Sequence, residues 1–376
     1  MKILFVTDLY PLGEEKIAKA LYYFVQEWKK QGHIIEVIRS NFVPNTKLRG
    51  RRIQKEGIYN EHGIKIYNLN FNTPFFFNVY KKLPADFSLK NYDILISHMP
   101  CGALMAQKLL KRDKIRYCCA VHSSDITVLT NNPYKIFFRQ KLKSAYKTAD
   151  FIAARSPVLK KKIEDLIPDT CGKTFVAYSG VDNELADEIE QYGAKCLDFI
   201  HDRDLTITTV ASLIKRKNID VLIKGLADFK DKNFFLRIIG DGEERENLQK
   251  LTKQLGLEKN IKFTGEIPRK EVFNYLKQSS LFVLLSENET FGLSYLEAMA
   301  AMNIVIALKN DGIDGILKNE ENAFLISPNP EELKDIIKKI MLLDSNRLKS
   351  LYENMKNTIN IYRQEQAAKN YLENLQ

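Results

Sequence analysis

Short runs of β-branched and large apolar residues alternate with longer amphipathic stretches along most of this chain. In the first half the short runs fall at 2–8, 34–39, 64–69, 93–98, 115–121, 150–154 and 174–178. Helical spacing of apolar positions lies between several of them, at 15–31, 102–112, 134–149 and 157–166. This rhythm predicts a mostly parallel sheet covered by helices on both faces. It pauses over 182–204, a polar stretch rich in Asp and Glu. Strand-like runs then return at 205–211, 234–240, 261–264, 281–285, 303–307 and 323–326, with helical patterns at 217–228, 243–255, 269–278 and 292–302. A last helical region covers 331–375. The expected fold class is α/β, with two doubly wound domains at 1–181 and 200–354 joined by a linker at 182–199. Such sheets bind ligands beyond the carboxyl ends of their strands, so a cleft between the two domains is the expected site. A chain of 376 residues is also longer than one core usually supports.

Charge sharpens this picture. Residues 1–180 hold 30 Lys+Arg against 15 Asp+Glu, a net +15, and the remainder holds 27 against 32, a net −5. The first half is therefore expected to meet something anionic, with a lysine-rich solvated surface as the plain alternative. No stretch approaches the roughly 20 apolar residues that span a bilayer, and "MKILFVTDLYP" does not read as a secretory signal. Cysteines 101, 118, 119, 171 and 196 lack metal-ligand spacing, and reduced thiols in a cytoplasm fit them best. Cys118 and Cys119 are neighbours in a strand and should face opposite ways.

Most of the candidate chemistry sits just after predicted strands. Gly13 and the helix opening behind it can approach an anion, although an ordinary strand-to-helix turn reads as well. His122 ends a strand beside Ser123, Ser124 and Asp125. It can donate into a cleft or be a satisfied structural histidine, and Asp125 can cap a helix or orient a neighbour. Lys215, Arg216 and Lys217 cluster at a strand end ahead of a helix, which suits a diphosphate and equally suits a charged helix start. Gly-Asp-Gly at 240–242 lacks the later glycine of a dinucleotide fingerprint, yet its glycines would let backbone reach a flat base. In "SENETFGLSYLEAMA", 286–300, Ser294 and Glu297 fit a capping box. Glu289 has no such structural explanation. Asp202 and Asp204 precede a strand and read as surface linker.

Taken in order, these segments resemble the glycosyltransferase group 1 family of retaining GT-B enzymes. The resemblance rests on "ENETFGLSYLEAMA", "HSSDI", "VASLIKRKNIDVLIKGL", "IIGDGEERENL", "IKFTGEIPRKEV", "KILFVTDLYP" and "GHIIEVI". It implies two Rossmann-like domains, with a helix at about 355–376 crossing back to the first. It assigns Glu289 to hydroxyls of the transferred sugar, Glu297 to the ribose, and Lys217 and the amides of Phe291, Gly292, Leu293 and Ser294 to the diphosphate, with Thr290 also on the donor side. Gly240, Asp241 and Ile267 would flank the base, and His122 would lie by the reacting sugar. Ser123, Ser124 and Asp125 fall on the acceptor side. The sequence departs from the family pattern at Ser212, where a basic residue is usual and for which Lys215 or Arg216 would compensate. Ser123 and Thr290 also stand where the family has glycine, and only Gly13 remains of the first-loop glycines.

The resemblance also implies the reaction: transfer of a sugar from a nucleotide diphosphate, UDP-sugars being the commonest donors in this family, to an acceptor hydroxyl. Retention, a hexosyltransferase class, no cofactor and no metal are expected, since Lys, Arg and helix amides can stabilise the departing diphosphate. The acceptor would be a glycan or lipid-linked intermediate of bacterial lipopolysaccharide, capsule or other surface polysaccharide. Aromatic and basic residues at 71–83 and a stripe of Lys135, Arg139, Lys143 and Lys147 within 134–147 suggest an anionic membrane surface. The protein would then be cytoplasmic and peripheral on the inner face of the plasma membrane. The rival classes are a nucleotide-sugar epimerase of the same architecture and a basic nucleic-acid-binding protein; the latter leaves the acidic second half unexplained, and no nucleic-acid partner is expected.

Overall fold

The computed structural model describes all residues except 14, 16–19, 45–52, 74–75, 131–135, 193–204 and 231–232. Asp202, Asp204, Lys135, Phe75 and Cys196 lie outside the described residues. Two compact units emerge, Met1–Ser179 with Gln364–Gln376, and Gly180–Arg363. Each is a Rossmann-like α/β domain.

The first domain carries β1 (Lys2–Thr7), β2 (Ile34–Phe42), β3 (Gly57–Glu61), β4 (Ile64–Phe71), β5 (Ile94–Ser97), β6 (Arg116–Val121), β7 (Phe151–Ala154) and β8 (Thr174–Val176). Their order in the sheet is β3-β4-β2-β1-β5-β6-β7-β8. All pairs are parallel except β3 with β4. Leu4 and Val6 belong to one buried cluster and Ile3 and Phe5 to another, so β1 is covered on both faces. That is why its sequence is apolar at consecutive positions. Cys118 and Cys119 divide between the same two clusters, as neighbouring strand residues must.

The second domain carries β9 (Leu205–Val210), β10 (Phe234–Ile239), β11 (Ile261–Gly265), β12 (Leu281–Leu284), β13 (Ile304–Leu308) and β14 (Phe324–Ile326). All are parallel, in the order β11-β10-β9-β12-β13-β14. Strand order reverses beside β9, between β10 and β12. Ligands of such sheets bind at this switch point, outside the strand carboxyl ends.

Three features differ from the sequence expectation. The edge strand β3 was not foreseen; it pairs with β4 through His62 and Gly63, both at positive φ (50° and 68°), which is a two-residue hairpin turn written without the usual Asn-Gly. The expected linker contains the helix Asn183–Tyr192, part of the second unit, which buries Leu185, Ala186 and Ile189. Its many carboxylates conceal that narrow apolar stripe. Finally, the segment that joins the first domain begins at Gln364, not at 355. The helix Ser345–Ile361 buries Leu348, Leu351 and Met355 and belongs to the second unit. The helix Gln364–Glu373 packs on Ala20–Lys30, where Trp28 Nε1 donates to the Ala368 carbonyl at 2.9 Å and Tyr371 stacks edge-on to Trp28.

Candidate functional site

At the switch point of the second domain, the segment after β9 and the segment after β12 converge. Lys217 is 8% exposed and its Nζ donates to Glu289 Oε2 at 2.6 Å. Ser286 Oγ donates to the same oxygen at 2.9 Å, and Arg216 lies 3.9 Å from it. Burial alone would raise the Glu289 carboxyl, but Lys217, Ser286 and Arg216 outweigh it and hold the group below its ordinary range. Arg216, though exposed like Lys215 and Ser212, also donates to the Glu287 carbonyl at 2.9 Å. Arg216 and Lys217 are therefore the basic residues that meet the carboxylate.

Glu289 lies in the loop, four residues before the helix Leu293–Ala300. Gly292 is that helix's N-cap at φ 85°, and a Cβ there would strike the Tyr295 ring. The capping box is a correction: no side chain caps this helix, and Ser294 is its second residue rather than its cap. Glu297 lies beyond the first turn and pairs with Arg269 at 2.5 Å. Burial pushes its carboxyl upward, with Arg269 opposing and nearby Asp182 adding to the rise. Among the expected donor-side residues of this loop, Phe291 is buried and Thr290, Leu293 and Ser294 are half-buried.

Asp311, after β13, was not foreseen. Its carboxylate accepts the backbone N–H groups of Asn288 at 2.7 Å, Glu289 at 2.6 Å and Gly312 at 2.6 Å. It thereby clamps the loop that carries Glu289, with Asn288 held at φ 54°. Gly240 opens the loop after β10. A Cβ there would strike the Ala211 carbonyl, so its clearance serves the packing of the 240–242 loop against the segment after β9. Leu213 N–H completes that packing by donating to the Asp241 carbonyl at 2.9 Å. The Asp241 side chain pairs with Arg245 at 2.7 Å, and Ile267 is half-buried between β11 and the helix Arg269–Leu276.

In the first domain, His122 follows β6 directly and is 8% exposed. Its Nε2 lies 3.0 Å from Nδ1 of His98, the residue after β5, and His98 Nε2 lies 3.2 Å from the Tyr371 hydroxyl. Burial, reinforced by Arg155, pushes His122 down to about 3, and His98 is also held neutral by burial. Asp125 does not face outward: it is fully buried, its Oδ2 accepts the His122 N–H at 3.0 Å, and burial pushes its carboxyl up to about 7. Its carboxylate is thus turned inward, onto the His122 backbone. Ser123 and Ser124 are half-buried at the start of the helix Ser123–Thr130. Gly13 donates its N–H to Glu61 at 2.8 Å, so that amide is already engaged.

Residues 199–358 match the model of glycosyl transferases group 1, and residues 17–185 match that of glycosyltransferase family 4. Together these two glycosyltransferase models cover most of the chain, the group 1 model matching its second half. The chain is 25% identical over 302 residues to the N-acetyl-alpha-D-glucosaminyl L-malate synthase of Bacillus anthracis, covering 79% of this chain and 76% of that one. Its fold is similar to that of Anabaena Alr3699/HepE in complex with UDP, with a TM-score of 0.75, 18% identity, and coverage of 100% of this chain and 99% of the other. The lipopolysaccharide outer core galactosyltransferase WaaB has a similar fold, with a TM-score of 0.69, 19% identity, and coverage of 100% and 99%.

This glycosyltransferase has no helix among its described residues that is long and apolar enough to cross a membrane. No group of three or more His, Cys, Asp or Glu among them could hold a metal ion. The aromatic segment at 71–83 is largely core: Phe71 and Phe76 are buried and stack edge-on at 5.1 Å, leaving Phe77 exposed. On the helix Ile136–Thr148, Arg139 and Lys143 are half-buried and Lys147 pairs with Asp169. Beside this helix runs a groove of about 790 Å³, with Lys108, Lys111, Lys114 and Lys141 and one carboxylate, Asp150, around Leu104, Leu110 and Ile115.

Proposed function

We propose that this glycosyltransferase takes its sugar from a nucleotide-diphosphate sugar and transfers it, with retention and without a metal, to a hydroxyl of a glycan or lipid-linked acceptor. The observation that carries the donor reading is the Lys217–Glu289 pair, joined by Arg216, at the switch point beside β9 and β12. A cation next to a strand end suits a diphosphate, and a carboxylate held ionised suits sugar hydroxyls. In the ligand-free chain each serves as the other's partner. Donor binding exchanges the pair: Lys217 and Arg216 turn to the diphosphate, and Glu289 accepts from the sugar. As the glycosidic bond breaks, negative charge grows on the diphosphate and the cations stabilise it. A departing phosphate oxygen takes the acceptor proton. UDP is the proposed donor nucleotide, in keeping with HepE, and a lipopolysaccharide or related surface glycan the proposed setting, in keeping with WaaB.

The test is a panel of nucleotide sugars scored for protection against thermal unfolding, followed by turnover of whichever protects. Glu289→Ala and Lys217→Ala each lower turnover by about 100-fold or more, as expected when electrostatic stabilisation of the transition state is lost. Near-normal turnover in a folded variant overturns these roles. Conversion of the donor to an epimer without acceptor would assign the fold to epimerase chemistry instead.

A further inference from the structure

Two buried imidazoles and a phenol form one hydrogen-bonded line in the first domain. β5 and β6 are parallel neighbours, paired from Ile94 with Arg116 to Ser97 with Cys119. Each strand is followed at once by a histidine; the register sets His98 level with Ala120, and β6 runs two residues further, where His122 Nε2 lies 3.0 Å from His98 Nδ1. His98 is fully buried against Phe5, and Met99 after it adopts φ 70°, which is costly for a residue bearing a Cβ. The chain accepts that strain in the turn that places His98.

We propose that His98 is a positioning residue for His122, and that His98 and Tyr371 together fix which nitrogen of His122 carries its proton. The proposal rests on the reading that His122 faces the reacting sugar. Both rings are neutral, so only one of them can donate in the 3.0 Å contact between them, and the two tautomers are coupled. Tyr371 selects between the two arrangements. Its hydroxyl lies 3.2 Å from His98 Nε2 and 3.7 Å from Cys118 Sγ, and an imidazole nitrogen is the better acceptor. Tyr371 therefore donates to His98 Nε2, and His98 Nδ1–H donates to His122 Nε2. The His122 proton is left on Nδ1, which has no protein partner among the described residues. His122 then presents a fixed N–H donor, and the helix Gln364–Glu373 gains a functional reason to sit on this domain.

The experiment is nitrogen NMR of the full chain labelled in its histidine rings, of which there are five. The wild type should show His122 as the Nδ1–H tautomer. Tyr371→Phe, which removes only a hydroxyl, and His98→Phe, which keeps a ring against Phe5, should shift His122 toward a mixture of tautomers. His98→Asn places an amide donor where Nδ1 stands and should restore the wild-type pattern. With a turned-over nucleotide sugar, kcat should fall about 10-fold or more in His98→Phe at little changed donor KM, the usual cost of losing an orienting partner. An unchanged His122 tautomer in His98→Phe overturns the proposal, as does a loss of kcat that His98→Asn fails to recover. If no nucleotide sugar is turned over, the donor reading fails while the NMR result still decides the relay.

Discussion

In the second domain the loop that carries Glu289 is held by one buried carboxylate, Asp311. Glu289 is useful only if its loop holds still, and Asp311 supplies three short hydrogen bonds to that loop and its own neighbour. Hydrogen bonds to a charged acceptor contribute about 1.5–3 kcal/mol each, and a misplacement of about 1 Å at a reacting group can cost about 100-fold in rate. Asp311→Ala should therefore lower kcat by about 10- to 100-fold, whereas Asp311→Asn, which retains one acceptor oxygen, should lose less. Calorimetric titration with UDP should show affinity falling far less than kcat in both; a parallel loss would mean that Asp311 shapes the whole pocket. Glu289 and Lys217 were legible in the sequence because their types and spacing had no structural explanation or sat at a strand end. Asp311 was not, because Asn-Asp-Gly reads as a turn and nothing in a sequence says which distant amides a turn aspartate will accept. The capping box at Ser294 misled for the opposite reason: a local motif fitted, but Gly292 in the left-handed region starts the helix two residues earlier.

At the scale of elements, strands were read well because burial on both faces makes them apolar without interruption, and most edges fell within two residues. What was missed depended on tertiary contact: β3 exists by pairing with β4, and Asn183–Tyr192 by burying three residues. The strand ends carry a consequence for stability. Between about pH 3 and 6.5 the folded His122 is neutral while its unfolded counterpart takes up a proton, and buried His98 behaves alike. Unfolding binds protons in that window, so stability is full above 6.5 and falls as the pH drops. Asp125 opposes this, since its folded carboxyl at about 7 against 3.8 unfolded makes stability fall as the pH rises between those values. Two imidazoles against one carboxyl leave a net loss on acidification. Trp28 is the sole tryptophan and is buried in the first domain, so its fluorescence in urea reports this domain separately. The midpoint should fall from pH 6.5 to pH 4.5, with a shallower fall in His98→Phe; equal slopes would show that the pair carries no proton linkage.

The division of charge belongs to the molecule as a whole: +15 over residues 1–180 and −5 over the rest. Composition exposed this asymmetry but could not place it, because the stripe expected on 134–147 is partly buried and partly paired. The groove beside that helix is the better place for an anion. Burial, aided by the charges of Lys111 and Lys141, holds Lys108 below the ordinary lysine range. Among the described residues no carboxylate lies within ion-pair distance of Lys108, Lys111 or Lys114. Packed like charges around an apolar floor are relieved by an anion that also offers apolar surface, and exposed Phe77 sits against Lys108 at 4.9 Å. A phosphatidylglycerol surface meets both needs, at about 1 kcal/mol per lysine near the surface. The chain should therefore float with phosphatidylglycerol-containing vesicles at low salt and not with phosphatidylcholine alone, and added salt should release it. Replacing Lys108, Lys111 and Lys114 by Glu removes at least about 3 kcal/mol on this scale, so partition should fall by about 100-fold or more. Turnover of a soluble acceptor should persist in that variant, since none of the three lysines belongs to the site around Glu289 or His122. Undiminished flotation of the triple variant would place the membrane contact elsewhere on the chain, and failure of the wild type to float at low salt would leave the positive half as a solvated surface.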